Sequence, residues 1–308
     1  MPLAAIDLGG TKLASALFRQ DGEILRRDAV PLAGRQGRDV GALIVEQVTS
    51  LGASDEDVTA VGVAIPGIYR SERGTVWAPN IPDWDDYPLL AELRGALGPD
   101  VTVRIDSDRA ACVLGETWCG AARGCENAAF VTVGTGIGVG LLVDGRVLRG
   151  HADIAGAIGW LAVRQPYLPA YRDCGCLEHH ASGPGLMKVA RQRGSGVAST
   201  NDLFDAYDAG DSIATAVLDD AVSLWGMMAA NLVSLFNPQM IVFGGGIFGP
   251  AARFLDRIRD EAARWAQPIS TGQVQFVVSE LGGDAPLYGA ASLVLTSAQQ
   301  EPRRERVT

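Results

Sequence analysis

Two glycine-rich segments constrain this chain more than any other feature: Asp7-Leu8-Gly9-Gly10-Thr11-Lys12 and Gly134-Thr135-Gly136-Ile137-Gly138. Each follows a short apolar run of strand type, Leu3-Ala4-Ala5-Ile6 in one case and Ala129-Phe130-Val131-Thr132-Val133 in the other, and each is followed by another such run. A third run, Gly244-Gly245-Gly246, stands between a strand-like segment and a helical one. Strand, glycine turn, strand, occurring twice, predicts two equivalent β-rich units. Glycine lets a backbone approach a ligand closely, and its N–H groups, with the Thr11 and Thr135 hydroxyls, offer donors to anionic oxygens. Asp7 adds a carboxylate at a strand end, a group able to hold Mg²⁺ beside a phosphate. Any one of these turns also fits a plain hairpin. Three of them together point to a phosphate chain, and so to an enzyme that uses a nucleotide.

The rest of the pattern fills in the two units. Residues 3–8, 13–18 and 24–31 read as strands joined at Gly9-Gly10 and Asp21-Gly22. Val40, Leu43, Ile44, Val48 and Leu51 then mark one buried helical face. Strands follow at 58–65, ending at Pro66-Gly67, and at 101–105, and a helix opens at Asp108 and runs to Trp118. This βββαβα plan restarts at Ala128, with strands at 131–133, 141–143 and 147–148. A long helix is expected from 212 to 235, a strand at 240–243, a helix from Pro250 to Trp265, a strand at 274–278 and a last helix at 285–296. The expected division is a small lobe of residues 1–117 completed by a helix at about 285–298, a large lobe of 118–284, and a frayed tail at 299–308.

Composition excludes several classes. A net charge of −10 and no local basic patch argue against a nucleic-acid partner. Five cysteines in 308 residues do not make a disulfide scaffold and suit a reducing compartment. Cys112, Cys119 and Cys125 read as small core or loop residues. The first strand begins almost at once, with no leader pattern, and no uninterrupted apolar stretch reaches the ~20 residues of a membrane span. A cytoplasmic protein with no membrane partner is expected.

Beyond single motifs, one ordered set of segments carries a resemblance: 5–12, Ala78-Pro79-Asn80-Ile81-Pro82-Asp83-Trp84, Asp108 through Glu116, Gly134–Gly138, Gly175-Cys176-Leu177-Glu178 and Leu281–Ala291. In order and interval, from residue 3 to about residue 297, the chain closely resembles the ROK family of sugar kinases and repressors. The resemblance implies an α/β actin-like, hexokinase-like ATPase fold, two lobes with a cleft, and ATP with Mg²⁺ as cofactors. The phosphates are expected at Asp7, Gly9, Gly10, Thr11 and Lys12, at Gly134, Thr135, Gly136 and Gly138, and at Gly244, Gly245 and Gly246. Asp108 matches the family's catalytic base, which takes the proton from the sugar's 6-hydroxyl. Asp108 also suits a helix N-cap, and Asp106, two residues earlier on an extended strand, is the competing candidate. A homodimer is what the family suggests. With four residues ahead of Ala5 and an acidic charge, the kinase branch is expected rather than a repressor with a helix-turn-helix domain.

On the sugar side the resemblance implies contacts at Gly67, Asn80, Ser107, Asp108, Ala157, Trp160 and Glu178, and here the chain departs from the family pattern. Ser107 stands where the family has Asn, Ala157 where it has Glu, and Trp160 where it has His. These changes fall where the C2 and C3 edge of the sugar is bound, which points to an amino-hexose such as kanosamine, with glucose as the alternative acceptor and a non-catalytic sugar sensor as a further one. The family's structural zinc ligands align with Trp160, Pro169, Tyr171 and Cys176, one ligand of four, so no structural zinc is expected. Trp160 and Tyr171 are expected to fill that space with apolar contact. Cys174, Cys176, His179 and His180 are metal-capable neighbours, set against an ordinary loop entering a helix.

Overall fold

The computed structural model describes residues 2–52 and 58–295. The expected tail, and the end of the last helix beyond residue 295, lie outside the described residues. The chain forms two compact units, one of residues up to Arg123, Arg149–Ala155 and Asp284 onward, the other of Gly124–Leu148 and Gly156–Gly283. The boundary therefore falls six residues later than the sequence suggests, and the segment Arg149–Ala155 packs with the first unit because carboxylates of that unit and of the segment itself bind it there.

The first unit opens with β1 (Leu3–Leu8), β2 (Lys12–Phe18) and β3 (Ile24–Pro31), then α1 (Gly37–Gly52), β4 (Ala60–Ile65), a small hairpin of β5 (Ile68–Arg70) and β6 (Thr75–Trp77), α2 (Leu89–Leu97), β7 (Thr102–Ser107) and α3 (Asp108–Cys119). Its sheet has the order β3-β2-β1-β4-β7, with β1, β4 and β7 parallel. Alternation along β1 decides which residue faces which layer. Ala4, Ile6 and Leu8 join a core with Val40 and Ile44 of α1, while Leu3 and Ala5 join a second core on the opposite face. That second face carries α3.

The second unit repeats the order. It runs β8 (Ala128–Val133), β9 (Ile137–Val143), β10 (Arg146–Val147), a 3-10 turn at Ile158–Trp160, α4 (Tyr171–Cys174), α5 (Cys176–Ala181), α6 (Gly183–Gln192), α7 (Thr200–Asp208), α8 (Ser212–Phe236), β11 (Met240–Gly244), α9 (Leu255–Trp265), α10 (Pro268–Thr271) and β12 (Gln275–Val278). Its sheet order is β10-β9-β8-β11-β12, the same pattern as the first. The α8 helix is long and apolar enough to cross a membrane, but it is the core helix of this unit. Its Trp225 is fully buried and donates Nε1–H to the Ala181 carbonyl at 3.1 Å.

The last helix, α11 (Ala285–Leu295), returns to the first unit. Ala290, Ala291, Leu287 and Val294 complete the core that Leu3, Ala5 and Ala111 begin. The approach is close: at Gly62 and Gly289 a Cβ would collide with the carbonyls of Ala290 and Ala111. Two expectations need correction. The segment 250–265 is not one α-helix, because Pro250–Phe254 is a 3-10 helix and α9 begins at Leu255. The helices α2 and α4 to α7 and the β5–β6 hairpin add to the βββαβα plan.

Candidate active site

The parallel strands bring acidic residues to their carboxyl ends, where ligands bind in open α/β sheets. Asp7 on β1 pairs in register with Ala64 of β4, and Ala64 pairs with Asp106 of β7. After Asp7 the chain turns through Gly9-Gly10, closed by the Gly9 amide donating to the Lys12 carbonyl at 2.9 Å. Gly10, Thr11 and Lys12 are exposed. A Cβ at Gly10 would stand 3.3 Å from Cβ of Asn80, so the turn and Asn80 are neighbours. The Asn80 loop is held by Trp84, fully buried, whose Nε1–H donates to the Gly37 carbonyl at 3.0 Å and whose ring stacks on Tyr87. Gly67 packs its Cα against the Trp77 carbonyl at the base of this loop and leaves no room for a side chain.

Asp108 is the first residue of α3, not its cap. The N-cap is Ser107, whose Oγ accepts from the Ala110 amide at 3.2 Å. Asp108 accepts from the Arg109 amide at 2.7 Å. Burial raises its carboxyl above the ordinary range, against the charge of Arg109 and that hydrogen bond. A raised value suits a general base better than a fully stabilised carboxylate would. Asp7 is pushed up to about 7, first by burial and then by the charge of Asp108, with Lys12 opposing. Asp106 is occupied otherwise: Oδ1 accepts from the Ser107 amide at 2.8 Å and Oδ2 from Arg149 Nη2 at 2.6 Å. Burial raises the Asp106 carboxyl as well, against Arg149, so what favours Asp108 over its rival is that both Asp106 oxygens already hold donors.

In the second unit the Gly134 amide donates to the Gly136 carbonyl at 3.0 Å, and the Gly183 amide to the Gly134 carbonyl at 2.8 Å. Gly138 lies inside β9, paired with Thr132, so the open part of this turn is 134–136. Gly245 has φ +87°, and a Cβ there would stand 2.5 Å from the Val133 carbonyl oxygen. Gly134, Thr135 and Gly246 line a cavity of about 640 Å³ together with Gly183, Pro184 and Arg191. The last three are additions to the sequence reading. Their signal was the run Ser182-Gly183-Pro184-Gly185, a capped helix start in which Ser182 Oγ accepts from the Gly185 amide.

Glu178 binds the same turn. Its Oε2 accepts from the Ile137 amide at 2.7 Å, and burial raises its carboxyl. Ala157 is exposed just ahead of the 3-10 turn at 158–160. Trp160, expected to fill vacated space, is instead 55% exposed, because its side chain leaves the turn toward the surface. Tyr171 alone takes the buried position. Its hydroxyl lies 2.8 Å from His180 Nε2, and its ring meets His179 and His180 edge-on.

The fold implies two metals, and the donor sets differ in their fit to them. For Mg²⁺ they fit: Asp7 is a largely buried carboxyl raised by a second one, and among the described residues no donor bonds its side chain. A cation there would relieve the repulsion. For zinc they do not fit. His180 Nε2 is taken by Tyr171, and His179 Nε2 lies 3.2 Å from the Lys188 ammonium. Cys176 Sγ points to the Arg164 carbonyl, and among the described residues no three His, Cys, Asp or Glu side chains could share an ion.

Duplicated sheets of one order, glycine turns at their strand ends and a half-buried carboxylate at the start of α3 define an actin-like sugar kinase. The ROK family pattern matches residues 3–297, and the chain belongs to the ROK family. It is 34% identical to the glucokinase of Thermotoga maritima over 315 aligned residues, 96% of this chain and 97% of that one. It is similar to the solved ROK hexokinase from Thermus thermophilus, with a TM-score of 0.84, 31% identity, and 97% and 100% of the two chains covered. It is also similar to a ROK family glucokinase from Streptomyces griseus in complex with glucose and AMPPNP, with a TM-score of 0.76, 28% identity and coverages of 95% and 99%.

Proposed function

We propose that this chain transfers the γ-phosphoryl group of ATP to the 6-hydroxyl of a hexose, and that its preferred acceptor is an amino-hexose of the kanosamine type. The observation that carries the reaction is Asp108, half-buried at the first position of α3 with its carboxyl raised, next in sequence to the cap Ser107. In that role it accepts the hydroxyl proton as the oxygen attacks phosphorus. Positioning and charge stabilisation supply most of the rate in such transfers. The amides and hydroxyls of Gly9–Thr11 and Gly134–Gly136 donate to phosphate oxygens, Lys12 adds a cation, and the 244–246 turn and the Gly183–Pro184 helix start offer a wall for the nucleotide. Asp7 would hold Mg²⁺, which when bound neutralises charge on the phosphates.

On the sugar side, Asn80 and Glu178 supply contacts that suit any hexose. The preference for an amine rests on three positions. Ser107 spends its oxygen lone pair on the α3 cap, Ala157 offers no carboxylate, and Trp160 offers no imidazole. These replacements remove two acceptors at the edge that binds C2 and C3 in the family pattern, and a change at that edge is what a different acceptor sugar requires. Glucose is the second reading, favoured by the glucokinase relative. ATP consumption across glucose, mannose, glucosamine, N-acetylglucosamine and kanosamine tests both. The amino-hexose reading expects the highest kcat/KM for kanosamine. A higher value for glucose overturns it and leaves the kinase, while no turnover with any sugar overturns the kinase and leaves a sensor.

A further inference from the structure

One short strap is not accounted for by the chemistry above. Residues Arg149–Ala155 pack with the first unit, although Leu148 before them and Gly156 after them belong to the second. Two carboxylates clamp the strap. Arg149 donates from Nε at 2.9 Å and from Nη2 at 2.6 Å to Oδ2 of Asp106. Asp153 accepts from the Ser71 amide at 3.0 Å and from its hydroxyl at 3.1 Å. The strap also closes on itself, the Ala155 amide donating to the Arg149 carbonyl at 3.0 Å. Asp153, at φ 58°, holds a left-handed conformation that only a few non-glycine types adopt readily.

The position of Asp106 gives the clamp its meaning. This carboxylate is 5% exposed and divides its oxygens between Arg149 and the amide of Ser107. Ser107 caps α3, and Asp108 is the next residue. A buried carboxylate stays ionised and in place only while its cation stands beside it. Without the guanidinium, Asp106 takes a proton or turns toward water, and the amide one residue ahead of the base loses a charge-assisted bond. The other end of the strap runs straight into Gly156-Ala157 and the 3-10 turn that ends at Trp160. One ion pair therefore fixes the backbone that presents Asp108.

We propose that Arg149 is a positioning residue for the sugar, acting through Asp106 on Asp108. This rests on the reading of Asp108 as the base. Arg149→Met is expected to lower kcat/KM for glucose and for kanosamine on the order of 10–100-fold, as misplaced reacting groups do. The loss is divided between a lower kcat and a higher sugar KM, while the KM for ATP stays within about twofold. Arg149→Lys, which keeps the cation without the fork, recovers part of the loss. Asp106→Asn behaves like Arg149→Met, and the double variant is no worse than the worse single one, because both remove the same interaction.

Melting curves of the same proteins separate folding from positioning. If kcat and both KM values are normal per folded molecule and only the melting temperature falls, Arg149 is structural and the proposal is overturned. Equal rises in the KM for ATP and for sugar, or additive losses in the double variant, overturn it as well. Asp108→Asn, run in parallel, keeps two failures apart. Normal turnover in that variant removes the base. An inactive Asp108→Asn beside a normal Arg149→Met removes only the positioning role.

Discussion

Replacing Asp7 by Asn is expected to stabilise the ligand-free protein at pH 8 while disabling it as a kinase. The Asp7 carboxyl has an ordinary value of 3.8 and is pushed up to about 7 by burial and by the neighbouring Asp108. Between those values the folded state binds a proton that the unfolded chain has released. Stability therefore falls as pH rises through this window: the contribution is whole below pH 3.8 and gone above about 7. The difference is about three pH units at about 1.4 kcal/mol each, so roughly 4 kcal/mol is the upper bound on the burden that Asp7 imposes when charged. Asn is neutral at every pH and escapes it. The assay is urea unfolding of wild type and Asp7→Asn in chelating buffer without nucleotide, at pH 5, 6, 7 and 8. The variant should gain on the wild type from pH 5 to about pH 7, with the gap levelling off towards pH 8. A variant that is less stable at pH 8, or a gap that does not widen with pH, refutes the reasoning. The accompanying loss of turnover would show a carboxylate retained against folding for the sake of the reaction.

Three further outcomes are expected. Asp108→Asn lowers kcat by ~10²–10⁴-fold with little change in sugar affinity, since the amide keeps the size but not the basicity; steady-state kinetics with isothermal titration of the sugar decides it. A zinc-selective chelator leaves melting temperature and turnover unchanged, whereas Tyr171→Ala, which empties a buried aromatic position beside His179 and His180, costs about 3–5 kcal/mol by denaturant unfolding; chelator sensitivity would show a bound metal instead. Gly245→Ala forces a side chain into φ +87° against the Val133 carbonyl, costs about 1–3 kcal/mol and raises the KM for ATP. An ATP KM equal to the wild type's would separate that turn from the nucleotide.

The strands of both sheets were legible because glycine pairs punctuate them and their apolar residues alternate in type. The edges of β1, β2 and β3 fall within a residue of where Gly9-Gly10 and Asp21-Gly22 put them. The α2 helix was passed over although Leu89, Leu93 and Leu97 mark its face, because Pro82 and Pro88 give the segment before it the look of a loop. Asp7, Asp108 and Glu178 stand out as candidates by their motifs alone. What the linear chain does not carry is long-range pairing. Nothing in Asp106 announces a guanidinium 43 residues later. Local competition matters as well: Ser107 is a sugar candidate by its place beside Asp108, and its spacing to Ala110 also makes it a cap. Trp160 was expected inside because tryptophan is large and apolar, but the 3-10 turn at 158–160 carries it outward.

The return of α11 to the first unit has a consequence for biosynthesis. A ribosome finishes Arg123 with one face of the first sheet only half covered, since Leu287, Ala290, Ala291 and Val294 have not been made. The second unit must be translated before they emerge, a delay of roughly 10–30 s at ordinary elongation speeds. Throughout that interval Leu3, Ala5 and Phe18 are covered from α3 alone, by Ala111 and Trp118. Vectorial synthesis thus runs against this topology: the half that leaves the ribosome first is the last to finish folding.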